Sequence, residues 1–160
     1  MERALAIRER VLGPDYPDTA LTLNDMGWLL RDQGELDPAR TLFERALDIW
    51  ERVLGRDHPL TARSLHGLGS LLRDQGGLDA AMPLLERALD IRERALGPDH
   101  PETAMSLYDL ALLHRAQGGV AAARALLERT LDIRERVLGP AHPDSVATRR
   151  ALEESPAAAG

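Results

Sequence analysis

The sequence predicts an all-α fold: a solenoid of antiparallel helix pairs, about eight helices in all. Three observations predict it. The segment LGPDYPDTA beginning at Leu12 returns as LGRDHPLTA from Leu54, LGPDHPETA from Leu96 and LGPAHPDSV from Leu138, each copy 42 residues after the last. A fixed period of that size marks stacked units that bury their apolar faces on one another, rather than a globule around one core. Within each period the apolar residues return at spacings of three and four, which is the helical repeat. Leu and Ala dominate the composition and only 3% of residues are aromatic, which favours helix over sheet.

The elements follow in order. Residues 2–16 match the second half of a unit and predict a lone helix over residues 2–12. Three full units then occupy residues 17–58, 59–100 and 101–142. The first helix of each begins at Pro17, Pro59 or Pro101, where the missing N–H would have no helical partner in any case. It ends at Gly34, Gly76 or Gly118, suited to the left-handed position that follows a helix. In the first unit its apolar stripe is Ala20, Leu23, Met26, Gly27 and Leu30. The second helix is expected to start after Asp37 or Asp79 as N-cap. It carries Ala39, Leu42, Phe43, Ala46, Leu47, Ile49 and Leu54, and stops at Gly55, with Gly97 and Gly139 as equivalents. Pro83, four residues past its cap, is expected to distort the first turn without breaking the helix. A final first-type helix over residues 143–154 has Arg149 where Leu23 stands and Glu153 where Gly27 stands, so it reads as a solvated cap closing the array. Residues 155–160 read as a frayed tail.

Composition narrows the functional classes. The 160 residues carry a net charge of −6, and all twenty basic residues are Arg. That excludes a nucleic-acid-binding tract or an anionic-membrane surface, and the Arg-only usage suggests a GC-rich, bacterial coding sequence. Cys is absent, so there are no disulfides, thiolate metal sites or Cys nucleophiles. No apolar run is long enough to cross a bilayer, and no signal peptide is evident, so the expected location is the cytoplasm. His58, His100 and His142 occur once per repeat, with Tyr16 in the same place in the first copy. They read as loop hydrogen-bonding groups and not as metal ligands. There is no phosphate-binding Gly loop and no nucleophile elbow. No catalytic residue, metal or cofactor is expected.

The series Leu23, Met26, Gly27, Leu30, Ala39, Phe43, Ala46 resembles the signature of the tetratricopeptide repeat. So do Leu65, Leu68, Gly69, Leu72, Ala81, Leu85, Ala88 and, more weakly, Leu107, Leu110, Ala111, His114, Ala123, Leu127, Thr130. The 42-residue length and the LGPDHPxTA linker are similar to the kinesin light chain type of this repeat, which also occurs in bacterial multidomain signalling proteins. The resemblance implies a right-handed superhelix whose first helices line a concave groove. It implies protein or peptide binding without specifying the ligand. The unpaired helix at the start points to a fragment of a larger protein.

Comparing the copies separates scaffold from candidate site. On the first helices the disagreements fall at Leu21, Arg63 and Met105; at Asn24, His66 and Tyr108; at Asp25, Gly67 and Asp109; and at Trp28, Ser70 and Leu112. These positions are three or four apart and share one face. Arg31, Arg73 and Arg115 do not vary and form a row beside them. The expected partner-binding set is therefore Leu21, Asn24, Asp25, Trp28, Arg31, Arg63, His66, Ser70, Arg73, Met105, Tyr108, Leu112 and Arg115. The expected ligand is a peptide or protein segment with acidic groups, which Arg holds bidentately. Trp50, whose counterparts are Arg8, Arg92 and Arg134, is expected on a solvent-exposed face, lying flat on its neighbours or contacting another chain. Two rival readings stand beside the binding module. One is a self-associating array joined through its unpaired terminal helices, with the monomer preferred because the last helix is solvated. The other is a sensor segment of a larger signalling protein.

Overall fold

A computed structural model describes residues 16–155. Those residues form seven helices and no strand: α1 Pro17–Asp32, α2 Leu36–Val53, α3 Pro59–Asp74, α4 Leu78–Leu96, α5 Pro101–Ala116, α6 Val120–Leu138 and α7 Pro143–Glu153. The helix expected over residues 2–12 and the tail beyond residue 155 lie outside the described residues. The chain divides into two compact units, residues 1–91 and 92–160, with the boundary inside α4. Each is described by itself.

The repeated linker is structural throughout. Pro opens α1, α3, α5 and α7. The Nδ1 atoms of His58, His100 and His142 accept from the backbone N–H two residues on, at 3.1, 3.2 and 3.2 Å, and so cap helices that Pro has already started. Tyr16 caps α1 without a side-chain bond. Thr61 and Thr103 hydroxyls donate to the Gly55 and Gly97 carbonyls, each at 2.8 Å. At the other end of α1, Gly34 takes φ 80°. Its N–H reaches the Arg31 carbonyl at 2.9 Å, while the Glu35 N–H reaches that of Leu30 at 2.9 Å, the double bond of a Schellman ending. The second helices of the first two units start earlier than expected, at Leu36 and Leu78. Asp37 and Asp79 therefore lie inside the first turns of α2 and α4, where a carboxylate favours the positive end of the helix dipole instead of capping it. α4 runs unbroken through Pro83.

In unit 1, α1 packs on α2 and α2 on α3. Phe43 is the key to this packing. It is fully buried, and a Cβ added at Gly27 or Gly67 would approach its ring to 2.8 or 2.6 Å. One aromatic thus occupies the space that two missing side chains leave on α1 and α3. The other repeats have Leu85 and Leu127 in place of Phe43, and Asp25 and Asp109 in place of Gly67. Gly67 therefore departs from the period for packing.

Trp50 corrects the expectation of an exposed face. It is 0% exposed and belongs to a cluster with Ala20, Leu23, Ala46 and Ile49, flanked by Leu21, Leu54 and Leu60. Its counterparts in unit 2 are buried as well. Arg92 is 0% exposed; its Nη1 donates to the Ser106 hydroxyl at 2.6 Å and the Glu102 carbonyl at 3.3 Å, and its Nε lies 3.3 Å from the Glu102 carboxylate. Arg134 repeats the pattern on α7, donating to Thr148 Oγ1 at 2.7 Å and the Asp144 carbonyl at 3.1 Å. The position is a fixed staple from a second helix to the start of the next first helix. It is polar in unit 2 and apolar in unit 1, and only the polar version needs a guanidinium fork that bonds a backbone oxygen and a hydroxyl together. Unit 2 is completed by Ala111, Leu127 and Ala151, which join α5, α6 and α7.

Candidate interaction face

The face of the first helices is built differently in the two units. In unit 1 its centre is Trp28, half-buried on α1. The indole meets Phe43 edge-on, with centroids 5.3 Å apart, and lies tilted against His66 at 5.6 Å. The Arg31 guanidinium stands 5.2 Å from the ring centroid, within range of a cation–π attraction. Arg31 also crosses to α3: its Nε and Nη2 donate to Asp74 Oδ2 at 2.8 and 2.5 Å. Arg73 donates to the other oxygen, Asp74 Oδ1, from Nε at 3.3 Å and Nη2 at 3.0 Å. One carboxylate therefore holds both arginines of the row in this unit. Beside it Arg63 pairs with Asp25 at 2.7 Å.

The remaining expected residues of unit 1 lie deeper. Asn24, His66 and Ser70 are at most 2% exposed, so none presents an open side chain to a ligand. Asn24 Oδ1 is 3.4 Å from the Ser64 hydroxyl, and its Nδ2 is buried without a described hydrogen-bond partner. Leu21 packs against the Trp50 cluster. The structure thus brings together Trp28, His66, Arg31 and Arg73, and moves Leu21, Asn24 and Ser70 into the packing.

In unit 2 Tyr108 takes the position of Asn24 and His66, and Arg134 stands 4.7 Å from its ring centroid. Burial lowers the Arg134 pKa; Asp144, Tyr108 and Asp109 oppose that shift. Met105 borders a slot of about 260 Å³ lined also by Pro101, Glu102, Arg134, Leu138 and Asp144. Leu112 is half-buried, and Arg115 is exposed. Two residues at this face were missed by comparing copies. Asp74 escaped because Asp32 repeats it, so it did not register as divergent. Arg134 escaped because it lies on a second helix. The available signal for Asp74 was Ala116, the third copy of its position.

Among the described residues no group of His, Cys, Asp or Glu could hold a metal ion. No helix among them is long and apolar enough to cross a membrane.

Helix pairs on a 42-residue period, small residues at the contacts and a recurring linker define an α-solenoid repeat protein. The tetratricopeptide repeat model matches residues 1–49, 30–94 and 71–136. The chain belongs to the tetratricopeptide repeat family. It is similar to a crystal structure of nearly identical TPR-like repeats assigned to a kinesin light chain of Podosopora anserina. The identity is 26% and the TM-score 0.79, over 88% of this chain and 66% of that one. A point variant of that protein matches at 27% identity and TM-score 0.76, over 96% of this chain and 73% of that one. BtubC (BKLC) from P. vanneervenii shares the fold, with 23% identity and TM-score 0.77, over 86% of this chain and 55% of that one. No curated protein matches.

Proposed function

We propose that this chain is a non-catalytic interaction module that holds a peptide or protein segment along the concave face of its first helices. The observation that carries the reading is Trp28. It stays half-buried where its counterparts are Ser70 and Leu112, with Arg31 against its ring and His66 alongside. Trp and Arg are the residue types that most often anchor interfaces, because a large rigid ring and a fork of donors lose little entropy on binding. Acidic groups are the favoured ligand chemistry, since unit 1 supplies Arg31 and Arg73 and unit 2 supplies an exposed Arg115. A cytoplasmic location belongs to the same proposal. The test is affinity capture with wild type and Trp28→Ala side by side, read by mass spectrometry. Equal recovery of every partner by both proteins removes Trp28 from the reading.

Self-association through the terminal helices is the less favoured reading. On α7, Arg149 pairs with Glu135, and Glu153 is exposed, which supports a solvated end. Light scattering over a range of concentrations is expected to give a monomer; a mass that climbs with concentration would reverse the preference.

A further inference from the structure

We propose that Asp74 is an internal placeholder in a two-arginine carboxylate site, so that an acidic side chain of a ligand binds by taking its place on Arg31 and Arg73. The inference rests on the interaction face proposed above and assigns how that face is controlled. Asp74 accepts from Arg31 on one oxygen and from Arg73 on the other. That is the contact two arginines would make with a ligand's carboxylate, and such charge-assisted bonds are about twice as strong as neutral ones. The donors are already positioned and largely shielded: the side chains of Arg31 and Arg73 are 21% and 14% exposed. The Asp74 side chain is 33% exposed, so solvent and ligand reach the carboxylate.

The arrangement comes from a break in the period. Arg31 passes over its neighbour Asp32 and reaches Asp74, 43 residues on. The same offset from Arg73 falls on Ala116, which has no carboxylate, and Arg73 donates to its own neighbour Asp74. A purely structural tie between α1 and α3 would predict that removing Asp74 weakens the protein or does nothing to binding. A placeholder predicts the opposite sign, a gain.

The experiment uses the full chain and two fluorescein-labelled octapeptides, one alternating Glu and Leu, the other Gln and Leu, followed by anisotropy at low and physiological salt. Asp74→Asn, which keeps the shape, is expected to bind the Glu peptide about tenfold tighter than wild type, the size of one charge-assisted bond. The gain should shrink with salt, and the Gln peptide should be unaffected. Arg73→Gln combined with Asp74→Asn should abolish the gain. Asp74→Ala, which copies Ala116, provides a second variant whose folding is checked by thermal melting. Equal or weaker binding of the Glu peptide by both folded Asp74 variants overturns the proposal. If that happens while Trp28→Ala still loses its captured partner, the placeholder falls and the interaction face stands. A gain in the Asp74 variants with no effect of Trp28→Ala on capture supports the carboxylate site and removes Trp28 from the interaction face.

Discussion

Gly67 and Phe43 carry the sharpest residue-scale test. Glycine inside a helix costs roughly 1 kcal/mol relative to alanine, so Gly67→Ala would stabilise α3 if nothing else touched it. The added Cβ would meet the buried Phe43 ring at 2.6 Å, and overpacking of a closed core costs about 1–3 kcal/mol. The steric effect should win, and urea melts should place Gly67→Ala below wild type. Adding Phe43→Leu, the residue type of the other repeats, should return part of the loss. At the neighbouring staple, Arg92→Ala should cost about 2–5 kcal/mol, because it empties a fully buried site and strands the Ser106 hydroxyl. A loss under about 0.5 kcal/mol, the range of surface substitutions, would mean the buried guanidinium is replaceable by water. Comparing copies put Trp28 and Arg31 on one face, and the guanidinium does stand against the indole, but the comparison misjudged burial. A helical wheel shows which residues share a face and not what covers that face. Trp50 sits where the next first helix lies across the second helix, and the same blind spot hid the depth of Asn24 and Ser70.

Among the elements, the first helices were legible to the residue at their starts, because Pro and a capping His act locally and need no tertiary context. The ends were legible for the same reason, through Gly34 and Gly76 at positive φ. The second helices begin without a side-chain cap where the cap is resolved, and so Asp37 was misplaced. Pro83 remains a local liability: α4 continues through it, but its nitrogen cannot donate back to Asp79. Its counterparts are Thr41 and Ala125. Pro83→Ala should restore the bond and raise the melting temperature by several degrees, an increase of about 1 kcal/mol or more in stability. An unchanged or lowered melting temperature would show that proline compensates in the unfolded chain. Surface ion pairs such as Arg136–Asp99 and Arg129–Glu93 add little by comparison, because exposed charges are screened by solvent and salt.

At the scale of the whole molecule, stability comes from neighbours covering neighbours. Ala111 and Leu127 are closed by Ala151 and Leu152 of α7, so α7 is a lid on unit 2 as well as its polar end. Removing residues 143–160 should expose that apolar cluster and strip Arg134 of the acceptors it has on Asp144 and Thr148. The truncated chain should melt earlier and bind more of a hydrophobic dye than the full chain; identical melting would mean that α7 contributes nothing to the unit. The net charge of −6 should keep the intact protein off polyanions, and added duplex DNA should leave its melting unchanged.

The Phe43 contact also bears on how such a chain can change over evolutionary time. Tandem copies invite unequal recombination, and an in-frame loss of residues 59–100 would leave every linker intact. It would also put Asp109 into the place of Gly67, driving a carboxylate against the Phe43 ring, and set Trp50 before Ser106 in the place of Arg92. The repeats look interchangeable in their linkers and are not so at their junctions. The order of the copies is therefore itself under structural constraint, and the array cannot shorten by one unit without repairing the seam.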